Sequence, residues 1–337
     1  MATINYSEAL KVENKIFIDV RSPSEFAKDH IDGAVNIPLF SDEQRAIVGT
    51  IYKKDGQQPA IDIGVKFFSE RLPQIVSELR EYDGKKIIAY CWRGGMRSGS
   101  FVSFLGSLNF DIVQLDGGYK TFRGCIREEL YNFDMKPKIF CIFGMTGTAK
   151  TDIIKILHPM SIDLEGIAGH RSSIFGHVGL EPRLQKMFES ILLSELRRVD
   201  EMSHMFFEGE SRRIGNINIP DSVFKKMMAA VPIRVVSDLS FRVKRIVGDY
   251  FDSAEKIREV DDVLDSHLLK HKLGAKNVDF MKECLKESRF EELVEVLLTK
   301  YYDPMYQHSQ KRLSGCVEIS VDDLDDAVQK IQDYATS

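Results

Sequence analysis

The stretch "KKIIAYCWRGGMRS", residues 85–98, runs from a short apolar segment into a loop holding one cysteine, two glycines and two arginines. "KKIIAY" (85–90) reads as a buried strand and "SGSFVSFLGSLNF" (98–110) as a helix of small residues. Cys91 therefore stands where a strand ends, and the next helix starts near Arg97 or Ser98. The same alternation extends outward. "KIFIDV" (15–20), "GAVNIPL" (33–39) and "DIVQLDGG" (111–118) read as strands. "SPSEFAKDHI", with Ser24 as its expected cap, and "GVKFFSERLPQIVSELREY" (64–82) are helical in period. Strands alternating with helices predict an α/β fold built on a parallel sheet.

The loop itself is built for a negative charge. Free N–H groups at the start of the helix, and its dipole, face back toward the sulfur and favour thiolate over thiol. Gly94 and Gly95 let the backbone curl so that their amides and that of Met96 converge. Arg93 and Arg97 add full charge. Such a bowl suits an anion bonded to Cys91: a persulfide, a perselenide or a phosphate. The spacing from Cys91 to Arg97 is also that of cysteine phosphatases, so the loop alone leaves phosphate, sulfur and selenium open.

A domain boundary falls near "NFDMKP" (132–137), after which the alternation restarts with "KIFCIFGMTGTAKTDIIKIL" (138–157). "GMTGTAKT" (144–151) is close to the phosphate-loop pattern G-x-x-x-x-G-K-S/T, between a strand and a helix as that motif requires. Backbone N–H groups of Gly144, Thr146, Gly147, Thr148 and Ala149 would wrap a diphosphate. Lys150 would reach its oxygens, and the Thr151 hydroxyl could bind Mg²⁺. Ala149 stands in place of the second glycine. Asp163, Glu165, Glu208 and Glu210 are acids that could complete a metal site, with Glu208 at the end of the strand-like "HMFFEGES" (204–211). "VPIRVVSDL" (231–239) has the character of a further strand, and beyond about residue 240 the chain is charged and helical. These readings divide the chain into an N-terminal domain (1–133), a phosphate-loop α/β domain (137–240) and a helical C-terminal region packed on it (241–337).

Composition narrows the class of partner. The chain has 337 residues, 43% of them hydrophobic and 29% charged, and a net charge of −5. A nucleic-acid partner would have to be met by a local patch. The five cysteines are scattered with no CxxC pair, which argues against a zinc site and a disulfide framework and for a reducing, cytoplasmic setting. The start, "MATINYSEAL", lacks the pattern of a signal peptide, and no apolar run approaches the roughly 20 residues of a membrane span.

"FIDVRSPSEFAKDHIDGAVNIP" (17–38) and "LDGGYKTFR" (115–123) resemble the opening and the closing segment of the rhodanese family, with Asp19, Arg21, Glu25 and His30 at family-typical positions. Asp29 and Asp32 replace residues that are more often Gly and Pro, a departure expected to touch only a turn. Four more stretches sharpen the resemblance: "DEQRAIVGTIYKKDGQQPAIDIG" (42–64), "DLEGIAGHRSSIFG" (163–176), "FEGESRRIGNINIP" (207–220) and "YYDPMY" (301–306). Together with "CWRGGMRS" they resemble the tRNA 2-selenouridine synthase family over essentially the whole chain. The resemblance implies a substrate tRNA with 2-thiouridine at the wobble position. It implies transfer of a geranyl group to that sulfur from geranyl diphosphate, then replacement of the S-geranyl group by selenium from selenophosphate. Cys91 would carry or deliver selenium as a Cys–Se adduct, and the phosphate loop would hold the diphosphate. No permanently bound cofactor or metal is implied, though Mg²⁺ could join the diphosphate. The partners would be tRNA and the enzyme that supplies selenophosphate, and no membrane. His170, Arg171, Arg212 and Arg213 are candidates for tRNA or phosphate contact, and Tyr301, Tyr302 and Tyr306 for stacking on a base. A rhodanese-type sulfurtransferase or a cysteine phosphatase with a regulatory phosphate-loop domain is the competing reading.

Overall fold

A computed structural model describes residues 2–306 and 315–337. Two compact units divide the chain: one runs to Leu130 and takes in Glu189–Leu193, and the other holds Tyr131–Phe188 and the residues from Ser194 on. In the first unit, β1 (Thr3–Ile4), β2 (Lys15–Asp19), β3 (Val35–Asn36), β4 (Lys86–Tyr90) and β5 (Ile112–Leu115) form one parallel sheet in the order β1-β5-β4-β2-β3. β4 lies at its centre. Ile87, Ile88, Ala89 and Tyr90 are all buried, as an unbroken apolar run in a strand covered on both faces should be. Phe101, Val102 and Leu105 of the following helix, Met96–Ser107, pack into the same core.

Two local expectations are corrected. The helix Pro23–Lys28 is capped by Ser22, not Ser24: Pro23 fills the first helical position and the Glu25 carboxylate accepts from the Ser22 N–H at 3.2 Å. The Ser24 hydroxyl instead donates to Asp42 at 2.6 Å. The stretch 42–64 is helical, and the helix expected over 64–82 begins within it. It forms the helix Asp42–Lys54 and the first third of Gln57–Leu79, broken between them at Gly56, whose φ of 98° ends the first helix.

The second unit contains β6 (Lys138–Phe143), β7 (Ser161–Ile162), β8 (His204–Glu208), β9 (Arg213–Ile214), β10 (Ile217–Asn218), β11 (Val231–Val236) and β12 (Val317–Ser320). Its main sheet is parallel, in the order β12-β11-β6-β8-β7, and β9 and β10 pair as a small antiparallel hairpin. The central strand β6 delivers residues 144–151. β8 beside it delivers Glu208, and β7 next along delivers Asp163 and Glu165. In an open parallel sheet this carboxyl edge is where ligands bind.

The helical C-terminal region is present, with helices from Leu239–Tyr250 to Phe290–Leu297 and a core that includes Val260, Leu264, Val278, Met281 and Leu293. The chain then does something the sequence did not announce. Residues Val317–Ser320 return as the edge strand beside β11, with Val235 opposite Ile319. The helix Leu324–Thr336 then lays Ala327, Val328 and Ile331 on the sheet core. Among the described residues, no helix is long and apolar enough to cross a membrane.

Ala149, buried before the helix Lys150–Ile156, has φ 57° and ψ 21°. That left-handed conformation costs a residue with a Cβ about 1–2 kcal/mol. Ala149→Gly removes the strain and returns part of the gain as unfolded-state entropy. A net stabilisation of about 0.5–1 kcal/mol is expected in urea unfolding. A loss of that size would contradict the assignment of strain to this residue.

Candidate functional site

Cys91 leaves β4 buried, and the Ser98 hydroxyl donates to its sulfur at 3.1 Å. Ser98 is in turn held by the Gln114 side-chain amide at 2.8 Å. The loop's carbonyls are tied outward. Those of Cys91 and Trp92 accept from the Tyr119 and Lys120 N–H groups, each at 2.9 Å. Those of Gly94 and Gly95 accept from Gln114 Nε2 at 2.7 and 3.3 Å. Among the described residues, the N–H groups of Arg93, Gly94, Gly95 and Met96 meet no protein acceptor, which is the arrangement an anion cradle needs. The "DGGY" segment is the template that makes this possible. A Cβ on Gly118 would lie 2.3 Å from the Cys91 carbonyl oxygen and 2.6 Å from the Gly94 nitrogen, so only glycine lets the two loops touch.

The two arginines differ. Arg93 is exposed, whereas Arg97 donates to Glu25 at 2.9 Å. Burial alone would raise the Glu25 carboxyl, but Arg97 and the Ser22 amide hold it below its usual range. The positive charge over Cys91 is therefore smaller than two free guanidinium groups would give. Asp19 and Arg21 form a buried pair, and Arg21 also donates to the Asp29 carbonyl at 2.7 Å and lies 3.9 Å above the Tyr119 ring. His30 stacks on Phe26. Asp29 is the correction here. It is fully buried, accepts from the Tyr119 hydroxyl at 2.8 Å and pairs with Arg123 at 3.4 Å, so it locks "GYKTFR" in place rather than merely forming a turn. Trp92, partly exposed, tilts against Tyr119 with ring centres 5.1 Å apart.

In the phosphate loop, the Met145 carbonyl accepts from the Thr148 hydroxyl at 2.8 Å and from Lys150 at 3.4 Å. The Thr146 carbonyl accepts from Arg242 Nε at 2.8 Å. Arg242 is buried and its two terminal nitrogens meet both Asp303 oxygens, at 3.1 and 2.6 Å. A Cβ on Gly147 would press on Arg242 at 3.1 Å, so the loop and this arginine are fitted to each other. The role of "YYDPMY" follows from this. Its Asp303 orients the arginine that braces the loop, while Tyr301 and Tyr302 are buried in the helical core and unavailable to a base. The Tyr306 side chain lies outside the described residues. Sequence reasoning missed Arg242 and Asp303, as it missed Gln114.

The acids converge in part. One oxygen each of Glu165, Glu208 and Glu210 lie within 4.8 Å of one another. The Thr151 hydroxyl sits 3.3 Å from Glu208, and Lys150 is 3.8 Å from it. Asp163 does not join through an oxygen of its own: it caps the helix Leu164–Ala168 by accepting from the Gly166 N–H at 2.7 Å. Burial, then mutual repulsion, pushes Glu165 up to about 7, and burial likewise raises Glu208 and Glu210.

The basic candidates mostly face the protein. His170 is half-buried, and a Cβ on Gly176 or Gly215 would run into its ring. Arg171 donates to the Val178 carbonyl at 3.0 Å and covers the Tyr250 ring at 4.8 Å. Arg212 and Arg213 are exposed. Arg212 pairs with Asp221, and Arg213 donates to the Gly215 carbonyl at 2.7 Å. Of the basic residues on the later helices, Arg245 pairs with Asp152 and Lys272 lies over Tyr301.

The raised carboxyls fix a pH dependence. A carboxyl whose folded pKa is raised contributes stability that is full below its ordinary value of 4.5 and is lost as pH climbs toward about 7. In metal-free buffer, Glu165→Gln should raise the urea midpoint at pH 8 while changing it little at pH 5. An equal change at both pH values would show that the buried charge is not the cause.

Comparisons with known proteins point to one family. A family model described as the tRNA 2-selenouridine synthase AAA domain matches residues 137–336, and the rhodanese-like domain model matches residues 5–125. A tRNA 2-selenouridine synthase from Shewanella piezotolerans is 31% identical over 337 residues, covering 91% of this chain and 92% of its own. Another from Hydrogenovibrio crunogenus is 30% identical over 93% of this chain and 94% of its own. A crystal structure from Clostridium difficile 630, described as the N-terminal domain of an ATP/GTP binding protein, is 42% identical, covers 37% of this chain and 98% of its own, and has a TM-score of 0.36. Over more than nine-tenths of its length, the chain belongs to the tRNA 2-selenouridine synthase family of enzymes.

Proposed function

We propose that this enzyme converts wobble 2-thiouridine in tRNA to 2-selenouridine in two stages, with one stage served by each loop. In the first, the thiocarbonyl sulfur attacks the allylic carbon of geranyl diphosphate. The C–O bond breaks and diphosphate leaves with the bonding pair. The phosphate loop holds that leaving group: Lys150 meets its charge and the amides of residues 144–149 surround it. Thr151, Glu165, Glu208 and Glu210 offer the hard oxygen donors that Mg²⁺ takes, and such an ion, when bound, screens diphosphate charge. In the second, the Cys91 thiolate attacks the phosphorus of selenophosphate within its amide bowl, the P–Se bond breaks and selenide leaves. Selenide attacks C2 of the S-geranyl base, geranyl thiol departs with the C–S bonding pair, and water then releases phosphate from Cys91. An enzyme that makes selenophosphate supplies the donor, and the setting is the cytoplasm.

The observation that carries this reading is the presence in one chain of two loops whose carbonyls are engaged by the protein, one loop around a buried thiol and one around a lysine. A loop of amides around Cys91 stabilises an anion on sulfur even with Arg97 engaged by Glu25. A phosphate loop with a left-handed alanine suffices to grip a diphosphate.

Purified enzyme with thiolated tRNA, geranyl diphosphate and selenophosphate should yield S-geranyl and then selenium-containing nucleosides by mass analysis. Absence of both products, with turnover of thiosulfate or a phosphoester, would sink the reading. Cys91→Ser should reduce selenation at least about 100-fold and leave geranylation intact, since loss of a covalent nucleophile typically costs this much or more. Full selenouridine from that variant would remove Cys91 from the chemistry.

A further inference from the structure

An apolar crevice opens at the phosphate loop itself. Its wall includes Thr146 of that loop, and the rest of its lining is aliphatic or aromatic: Ile246, Tyr250 and Phe251, with Leu297 and Tyr302 opposite. The helix Leu239–Tyr250 joins the two environments. Arg242, which braces the loop at Thr146, and Ile246 and Tyr250, which line the crevice, are spaced four apart and so share one face. From Arg242 to Tyr250 is about 12 Å along the helix axis, comparable to the roughly 9 Å of an extended eight-carbon chain with ordinary bond lengths.

Two segments singled out in the sequence, "RSSIFG" and "YYDPMY", also end here, through Phe175 and Tyr302. The stretch Leu298–Tyr302 is a π-helical turn, a local widening often found at functional sites. A wall that passes from phosphate-binding amides to hydrocarbon without a charged side chain fits a ligand with a diphosphate head and an apolar tail.

We infer that this crevice takes the isoprenoid tail of the diphosphate held by the phosphate loop, and that it sets the tail length. The inference rests on the phosphate-loop reading above and deepens it. The crevice is nearly closed, with about 30 Å³ of free space, room for one water. A tail therefore enters by displacing side chains. Tyr250 and Phe251 are half-buried at the end of their helix, whereas Leu298 is fully buried, so Tyr250 and Phe251 are the side chains with room to give way. Phe251 stacks on Phe290 at 4.5 Å and closes the far end.

Binding of pyrophosphate and of dimethylallyl, geranyl and farnesyl diphosphates to the full-length protein tests this by calorimetry. Geranyl diphosphate should bind at least about 100-fold more tightly than pyrophosphate and about tenfold more tightly than dimethylallyl diphosphate, because each added buried carbon contributes favourably. Val294 also lines the crevice, and Val294→Phe, which fills it, should erase that gain and keep pyrophosphate binding. Phe251→Ala, which opens the far end and removes a half-buried side chain, should shift preference from geranyl to farnesyl diphosphate by about tenfold. It decides the matter if Val294→Phe does not fold. Equal affinities for dimethylallyl and geranyl diphosphates, or an unchanged geranyl-to-farnesyl ratio in Phe251→Ala, would overturn the crevice. Lys150→Ala separates the two readings: it should weaken every diphosphate alike, pyrophosphate included. If it weakens none, the phosphate-loop reading has failed, whatever the tails show.

Discussion

A loop that gathers N–H groups around one point must first dispose of its own carbonyl oxygens. Both loops of this protein meet that constraint, and much of the structure follows from how. Around Cys91 the carbonyls are taken by Gln114 and by the first amides of the helix Gly118–Asn132. In the phosphate loop they are taken by Thr148 and Lys150 from within and by Arg242 from outside. In each case part of the brace comes from a distant part of the chain, so the loop is shaped by the fold. The glycines at 94, 118 and 147 are required at the points of contact, where a Cβ would meet backbone or the bracing side chain.

The braces explain which charges are free to act. Arg242 is spent on Thr146 and Asp303, and Arg97 on Glu25. At the phosphate loop Lys150 pairs with Glu208 in a cluster of two buried carboxyls and the half-buried Glu210, an excess of negative charge at the carboxyl edge of the sheet. Burial and mutual repulsion disfavour full ionisation there. On the proposed function, a cation brought in with the diphosphate would relieve this repulsion.

The sequence made the local logic legible and the long-range logic opaque. Strand, loop and helix around Cys91 and around Lys150 followed from apolar runs that end in glycine and cationic residues. The approach of Glu208 to Thr151 followed from an acid closing an apolar strand. By contrast, Gln114 in a strand, Arg242 among other basic residues of a helix, and Asp303 before a proline carry no local sign of their task. Each is defined by a partner 16 to 96 residues away. The edge strand Val317–Ser320 is too short for a period, and its partner β11 lies far upstream. Asp29 misled for the same reason: at a turn it looks exposed, and only the fold buries it against Tyr119 and Arg123.

Residue type did not reveal which way a side chain faces. His170, Arg171, Tyr301 and Tyr302 have the chemistry of nucleic-acid contacts, yet the first two hold neighbouring loops and the last two pack the helical core. Ala149 teaches the converse. It departs from the glycine pattern, but its backbone keeps the left-handed turn that the pattern encodes. A methyl group there costs about 1–2 kcal/mol of strain and recovers part of it by restricting the unfolded chain. The alanine therefore costs only about 0.5–1 kcal/mol net, and the geometry of a phosphate loop can outlast the motif by which it is recognised.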